Sequence, residues 1–588
     1  MIPKRLGDLI ADLDKRVTQE PGASAGDVAA ADTAADADVD SAAAVAPTAT
    51  AAVPAAGTAL ELAALREQEV AHLAYRSDAV QPGDLFFCIP GSHADGHDFA
   101  PDAAARGAVA LAVQHPVPVC LPQIHFDDTR RALALTACAF YDNPSASLAL
   151  TAVTGTNGKT TTTCLIDWIC RFSLARRHAV STEEASAWTG LIGTVETRVG
   201  TSRLPSKFTT PESLDLQQLL AQMRDKGIRN VCMEVSSHAL ALHRVAGVTF
   251  AAAAFSNLSQ DHLDFHGSME GYFEAKAALF DSPLVARRAI DIDTSYGCRL
   301  ARRCEDASFK VLTCGCSADA QVRAEQVEYG TRSTSLTLHT PEGTFALSYP
   351  LIGGFNVSNV VLAAATASLL GFSFAEISEA LACAPQIPGR LERVTACGMA
   401  ADDPQQPPIG VFVDYSHTPD SIVKALDALN ALKTAGSASA PAPVPTTPAT
   451  PRTIIVFGCG GDRDATKRPL MGTAALAADY VVVTSDNPRS EDPLAIIADI
   501  LPGMEGAAGR YEVEPDRRAA IARALSEARP GDFVLIAGKG HEDYQLVGDK
   551  VLSFDDRVVA AEELRALVEA KAAGAKTGEA KAGAVSCS

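Results

Sequence analysis

The chain has no long hydrophobic run, no surplus of basic residues and no paired-cysteine pattern, and each absence removes a class of function. Its most apolar stretch, residues 357–372, follows Asn356 and contains Ser358 and Asn359. That is too short and too polar for a membrane span, which takes about 20 apolar residues. Residues 1–10 carry Lys4 and Arg5, but Asp8 and then Asp12 interrupt any apolar core, so no secretory signal is read there. Lysine and arginine number 50 against 71 aspartates and glutamates, a net charge of −21. A general nucleic-acid binder needs a basic face to neutralise phosphates, so nucleic acid is not expected as a partner. A small anionic substrate remains possible, because a local pocket can be basic on an acidic surface. The 14 cysteines are scattered. Cys298, Cys304, Cys314 and Cys316 cluster, but structural zinc wants pairs two to four residues apart, and the one close pair has the wrong spacing. Scattered thiols in a long chain fit a reducing compartment, and the expected location is the cytoplasm.

With 588 residues, 47 % of them hydrophobic, the chain can fill two or three cores. Residues 21–56 are nearly half alanine, with scattered Gly, Pro and Thr, no Lys or Arg and no large apolar face, a composition that favours disorder. Residues 434–451, rich in Ala, Pro, Ser and Thr, lie between a helix-like stretch (421–432) and a strand (453–457) and read as a loop insertion. The Ala-, Gly- and Lys-rich tail after Lys571 reads as mobile. Elsewhere short apolar runs at 148–153, 230–235, 248–255, 409–413, 454–457, 480–484 and 533–537 are each followed by a polar or glycine-rich loop, and most then by a helix-like segment. That is the pattern of βαβ units and parallel sheets, in which ligands bind beyond the carboxyl ends of the strands.

After the first of these central runs comes Thr154-Gly155-Thr156-Asn157-Gly158-Lys159-Thr160, followed by Thr161 and an apolar helix. Glycines let backbone N–H groups turn inward on a phosphate, and the helix start adds the positive end of its dipole. Lys159 supplies a point charge and Thr160 a hydroxyl for Mg²⁺. The common P-loop expression would place glycine at Val153, so the general kinase and GTPase form is not met. Ligands for the metal should stand at neighbouring strand ends. Glu234 ends one run, before Ser236-Ser237-His238, and another ends in Asn257-Leu258-Ser259-Gln260-Asp261-His262-Leu263-Asp264.

These segments, together with Gly353-Gly354-Phe355-Asn356-Val357-Ser358-Asn359, Pro388-Gly389-Arg390, Asp414-Tyr415-Ser416-His417-Thr418-Pro419, Gly460-Gly461-Asp462-Arg463-Asp464, Asp486-Asn487-Pro488-Arg489 and Gly538-Lys539-Gly540-His541-Glu542, resemble the Mur ligases in order and spacing from about Arg76 to about Leu564. The resemblance implies an ATP-dependent, amide-forming enzyme of peptidoglycan precursor synthesis with an α/β fold in three domains. These are a small UDP-substrate-binding domain (1–147), a central P-loop ATPase-like parallel sheet (148–388) and a C-terminal Rossmann-like domain (389–588) that selects the amino acid, with a hinge near Pro388-Gly389. By the same resemblance Gly155 to Thr161, Asn356 and Arg390 would hold ATP. Thr160, Glu234, His262 and Lys276 would surround two Mg²⁺, with Lys276 carbamylated, since CO₂ turns an ammonium that repels Mg²⁺ into a carboxylate that can ligate it. Read from the residues alone, Lys276 is a helix-surface lysine. Ser77, Thr209, Thr210, Ser236 and Arg244 would hold the UDP-muramoyl peptide. The family's Asp-Ser-Arg appears here as Arg76-Ser77-Asp78, and a histidine beyond the next strand is replaced by Ser92 with His93 beside it.

The implied substrates are UDP-N-acetylmuramoyl-L-alanyl-D-glutamate and meso-2,6-diaminopimelate. The far end of diaminopimelate carries an ammonium and a carboxylate, and a guanidinium grips a carboxylate in bidentate fashion. Arg489 and Arg463 are the candidates for the carboxylate, Asn487 and Glu542 for the ammonium, with Asp486, Pro488 and Gly538 completing the site. L-lysine lacks the far carboxylate and would leave Arg489 without its anion. The alternatives are a ligase of the same superfamily that adds lysine, one that adds D-alanyl-D-alanine, and a folylpolyglutamate synthetase-like enzyme. A catalytically dead scaffold is expected to have lost Lys159, Glu234 or Lys276, and all three are present.

Overall fold

The computed structural model describes residues 3–19, 66–91, 94–206, 208–400, 402–435 and 450–585. The alanine-rich segment 21–56, most of the 434–451 insertion, and Ser92 and His93 lie outside the described residues. The chain forms two compact units, residues 1–322 with 362–377, and residues 323–361 with 378–588.

Among the described residues the first unit holds two main sheets, besides the short antiparallel pairing of Lys4–Arg5 with Glu69–Val70. The smaller is fully parallel, in the order His72–Ala74, Asp84–Phe87, Ala110–Val113, Gln123–His125. Its strands are almost wholly apolar and bury Leu85, Phe87, Ala110 and Ala112 against Leu133, Ala137 and Phe140 of the helix Thr129–Phe140 and Leu6 and Leu9 of the first helix. The larger sheet runs Ser202–Leu204, Thr197–Val199, Thr189–Ile192, Asn230–Glu234, Ala149–Thr154, Ala252–Phe255, Arg288–Asp291, Val311–Gly315, parallel from the third strand onward. Parallel strands covered on both faces have no polar face to show, hence the continuous runs of Ala, Val and Ile. Their order fixes the site. Val153 pairs with Glu234 on one side and with Ala254 on the other. Three motifs separated by up to a hundred residues of chain therefore end side by side on one sheet edge. The run expected at 248–255 is strand only over Ala252–Phe255. Val248 closes a turn on Val245, and Phe250 makes only an isolated bridge to Val285.

The second unit contains an antiparallel meander, Val322–Tyr329, Thr334–Thr340 and Gly343–Tyr349. Beside it in sequence is a six-stranded sheet ordered Glu392–Val394, Gly410–Asp414, Phe533–Ala537, Thr453–Phe457, Tyr480–Val483, Tyr511–Val513, parallel except at its first strand. One face packs Phe412, Ile455, Phe457 and Leu535 on the helices Pro419–Ala435, Lys467–Ala475 and Pro493–Ile500. The other packs Val413, Val456 and Ile536 on Arg517–Glu527 and the last helix. That helix, Asp556–Val585, runs through the tail expected to be mobile. Ala, Lys and Glu are strong helix formers, and each of the isolated glycines in it costs only about 1 kcal/mol. Among the described residues no helix is long and apolar enough to cross a membrane.

The second unit is pinned by an ion pair that sequence reasoning did not single out. Arg517 and Asp556, both with fully buried side chains, meet at 2.6 Å, and Arg517 also donates to the carbonyls of Ala537 and Ser485. Arg517→Met strands the Asp556 carboxylate without its cation and is expected to cost about 3–5 kcal/mol. Replacing both partners by apolar residues (Arg517→Met with Asp556→Leu) should recover most of the loss, and urea unfolding of the three chains checks both.

Candidate active site

The strand Ala149–Thr154 ends in a loop that only glycine could complete. Gly155 has φ = 148°, and a Cβ there would stand 2.0 Å from Ser256 Oγ. The loop is laced to the next strand end, because Asn257 accepts from Thr156 N through its carbonyl and from Asn157 N through Oδ1, while Ser256 Oγ donates to Asn157 O. Gly158 then starts the helix Lys159–His178, so the loop N–H groups and the helix N-terminus point the same way. Thr161 is buried in the first turn of that helix.

Glu234 is 1 % exposed at the adjacent strand end. Its Oε1 accepts from Thr194 N at 2.8 Å, and its Oε2 accepts from the hydroxyls of Thr160 at 3.0 Å and Thr194 at 3.1 Å. The expected neighbours Thr160 and Glu234 are therefore in direct contact. Thr194 was not anticipated: it follows the short strand Thr189–Ile192 forty residues before Glu234, and the run Gly190-Leu191-Ile192-Gly193 was not read as a strand end. Four of the positions assigned to the muramoyl peptide are linked to Glu234, one through Thr194 and three through its backbone carbonyl. Thr209 meets Thr194 through their hydroxyls, Thr210 Oγ1 donates to Glu234 O and accepts from Ser236 N, and Arg244 donates to Thr210 O and pairs with Glu212. Ser77 sits apart in the small sheet, at the start of a short 3-10 turn, where its hydroxyl helps hold the Asp102 carboxyl below its usual range.

Lys276 is no surface lysine. It projects from the helix Met269–Asp281 into the interior, 1 % exposed, and its Nζ donates to Gly155 O at 2.8 Å. Lys159 Nζ donates to the same carbonyl at 3.1 Å and to Thr156 O at 2.9 Å. Two amines thus converge on one carbonyl, and among the described residues no carboxylate lies within ion-pairing distance of Lys276. Burial pushes the Lys276 amine well below its ordinary value, the Lys159 charge pushes it further, and Asp261 acts the other way. His262 stands in the left-handed region (φ 52°), its Nε2 3.4 Å from Asp261 Oδ2. Burial lowers its pKa, which Lys159 and Lys276 reinforce and Asp261 opposes. An edge-on ring contact joins it to His238, and Tyr272 links it to Thr156 of the loop. Deeper, His266 bonds Ser237 Oγ, and burial pushes it down to about 4.

Can these groups hold a divalent cation? The donor set is hard oxygen (Thr160 Oγ1 and both Glu234 oxygens) with one imidazole, which suits Mg²⁺ or a similar ion. The charge does not suit it while Lys159 and Lys276 are both ammonium, with Glu234 buried and only the partly exposed Asp261 acting against them. A carbamate on Lys276 reverses that balance, and a buried amine with a depressed pKa and no acid partner is the form that reacts with CO₂.

The second unit carries a separate cluster. Arg489, half-buried and also in the left-handed region (φ 52°), directs Nη1 to Gly461 O at 2.7 Å and to Asn487 O at 3.4 Å. Among the described residues it pairs with no carboxylate, whereas nearby Arg468 holds Glu491 and Asp499. Arg463 is exposed, and among the described residues it bonds only the carbonyl of Asp462. Asn487 Nδ2 donates to Glu542 Oε2 at 2.8 Å, Pro488 is buried between Asn487 and Arg489, and Gly538 passes against the buried Asp486 carboxylate. The hairpin Tyr544–Val547 and Lys550–Ser553 pins this loop, because Leu546 donates to Asn487 Oδ1 and accepts from Arg489 N. Asn356 is spent locally on Ile352 O and Asn359, while Arg390 lies over the Tyr415 ring.

Three family models match the chain in succession. They are the Mur ligase family catalytic domain over residues 69–141, the Mur ligase middle domain over 153–367, and the Mur ligase glutamate ligase domain over 389–540. A relative from Geobacillus thermodenitrificans, named UDP-N-acetylmuramoyl-L-alanyl-D-glutamate--2,6-diaminopimelate ligase, is 44 % identical over 497 residues, covering 84 % of this chain and 94 % of its own. One of the same name from Gloeobacter violaceus is 43 % identical over 514 residues, covering 87 % and 96 %. A solved structure of a ligase with that name is similar at a TM-score of 0.59 and 31 % identity, over 86 % of this chain and 96 % of its own. The MurF ligase of Thermotoga maritima in complex with ADP has the same fold at 18 % identity, with a TM-score of 0.52 over 85 % of this chain and 98 % of its own.

Gly193 tests the carboxylate's position. A Cβ there would stand 2.6 Å from Glu234 Oε1, so Gly193→Ala must push that oxygen aside. Turnover with ATP is expected to fall about tenfold or more, about 1.4 kcal/mol in the barrier, with the circular dichroism spectrum unchanged.

Proposed function

Because the chain belongs to the Mur ligase family, whose members are ATP-dependent ligases of acids with amino acids, we propose that it joins meso-2,6-diaminopimelate to UDP-N-acetylmuramoyl-L-alanyl-D-glutamate in peptidoglycan precursor synthesis, in the cytoplasm. The glutamate side-chain carboxylate of the nucleotide substrate attacks the γ-phosphorus of ATP. The bond from that phosphorus to the β-bridging oxygen breaks, ADP leaves, and an acyl phosphate forms. The amine of diaminopimelate then adds to the acyl carbon, loses its proton, and expels inorganic phosphate as the amide forms.

The chain's residues serve these steps by placement and charge. Lys159 turns from the loop carbonyls to the β- and γ-phosphates, and the loop N–H groups cradle the same oxygens. Thr160, Glu234, His262 and Lys276 as its carbamate would hold Mg²⁺, which when bound offsets the charge of two anions brought together. The carbamate forms as the neutral Lys276 amine adds to CO₂ and releases one proton. Thr209, Thr210, Ser236 and Arg244 orient the muramoyl peptide next to Glu234. The charge of Arg244 is already matched by Glu212, so it serves there as a directed donor.

The observation that carries the choice of amino acid is the half-buried Arg489 guanidinium with no carboxylate partner among the described residues. It is a receptor for an anion that the chain itself does not supply, and the far carboxylate of diaminopimelate supplies it. L-lysine would leave that charge uncompensated.

Phosphate release from ATP with UDP-N-acetylmuramoyl-L-alanyl-D-glutamate, Mg²⁺ and either diaminopimelate or L-lysine tests the reading. Turnover with diaminopimelate alone is expected, and turnover with lysine alone would sink the choice of amino acid. Arg489→Ala is expected to raise the KM for diaminopimelate a hundredfold or so, about 2.7 kcal/mol, and to leave that for ATP unchanged. Lys276→Ala should abolish turnover, with partial return on adding acetate or formate. A Lys276→Ala chain that keeps near-normal rates without them would remove the carbamate from the mechanism.

A further inference from the structure

Next to Arg489 the structure buries a second cation that neither the fold nor the phosphate chemistry calls for. Lys539 follows the central strand Phe533–Ala537 and is 0 % exposed. Its Nζ donates to Glu542 Oε2 at 3.1 Å and to Asn487 Oδ1 at 3.2 Å, with the Tyr544 ring 5.4 Å away. An apolar residue of similar volume would be cheaper to bury than an ammonium, since the desolvation of a charge is seldom fully repaid.

The geometry shows what this ammonium does. Asn487 Oδ1 receives two donors, Lys539 Nζ and Leu546 N, and its Nδ2 donates to Glu542 Oε2. Two donors facing one end of the amide leave it a single orientation. Glu542 Oε2 is then taken by Lys539 and Asn487 together, while Oε1 has no hydrogen bond among the described residues. One carboxylate oxygen is thus anchored and the other is left as an acceptor. Burial raises the Glu542 carboxyl, the nearby Asp486 charge adds to this, and Lys539 and Asn487 oppose it. Without Lys539 the carboxylate would lose a cation that opposes this rise, and the anionic form that attracts an ammonium would be less favoured.

We propose that Lys539 is a positioning residue of the amino-acid site, which anchors Glu542 Oε2 and the Asn487 amide so that Glu542 Oε1 receives the far ammonium of the incoming amino acid. The far end of the substrate is then read twice, its carboxylate by Arg489 and its ammonium by Glu542 as set by Lys539. This rests on the reading of the cluster as the diaminopimelate site.

The test compares meso-diaminopimelate with 2-aminopimelate, which keeps the far carboxylate and lacks the far amine. In Lys539→Met and in Lys539→Gln, the ratio of kcat/KM for diaminopimelate over 2-aminopimelate is expected to fall at least tenfold, with the KM for ATP within twofold of its starting value. Lysine that merely filled space would lower both amino acids together and keep the ratio, and that result would overturn the proposal. Glu542→Gln provides a chain in which the fold does not depend on replacing a fully buried group. In it the ratio should collapse by itself, and adding Lys539→Gln should change it no further, because the two residues act as one unit. Additive losses in that pair would count against the assignment. Absence of diaminopimelate-dependent phosphate release from the unaltered chain would instead defeat the functional reading on which it rests.

Discussion

Everything in the first unit turns on one buried carboxylate held at a sheet edge among cations. Glu234 is out of water, and its oxygens are held by the Thr194 amide and two hydroxyls. Next to the phosphate loop, Lys159 and Lys276 bring two amines to one backbone carbonyl. Desolvation makes such an excess of positive charge expensive, so the lysine with no acid partner is driven toward its neutral form. The same excess suits the nucleotide, because the β- and γ-phosphates supply the negative charge that the chain withholds. A site rich in preset donors and poor in acids is complementary to polyphosphate and to charge built up during transfer.

The cluster in the second unit proposed to receive the amino acid follows the opposite rule. There the charges are nearly matched, with Arg517 on Asp556, Arg468 on Glu491 and Asp499, and Lys539 on Glu542. Against that background two groups without a partner of opposite charge or a hydrogen bond among the described residues stand out, respectively the Arg489 guanidinium and Glu542 Oε1. On the proposed reading each receives the opposite charge from the zwitterionic far end of diaminopimelate. Selectivity of this kind comes from what is left unpaired when the wrong amino acid binds.

Local chemistry was readable along the chain because it is set within one or two turns. Gly155 to Thr160 announces a phosphate loop by composition and by its place between a strand and a helix. The central apolar runs became parallel strands at nearly the expected bounds, such as Phe533–Ala537. The errors lie where packing or a turn overrode composition. Residues 248–251 look like strand but form a turn and a bridge.

The sequence alone determined that this chain is an α/β protein with a glycine- and lysine-bearing loop between a strand and a helix, and the ordered motifs identified its family, because each motif's chemistry depends on residues a few positions apart. Only the tertiary structure decided that Lys276 is buried against Gly155, that Thr194 and Gly193 bracket Glu234, and that Lys539 anchors Glu542 and Asn487. Those contacts join residues as much as 121 positions apart. Their formation depends on which strands become neighbours, a choice made by the burial of whole sheets and invisible in any short stretch of sequence.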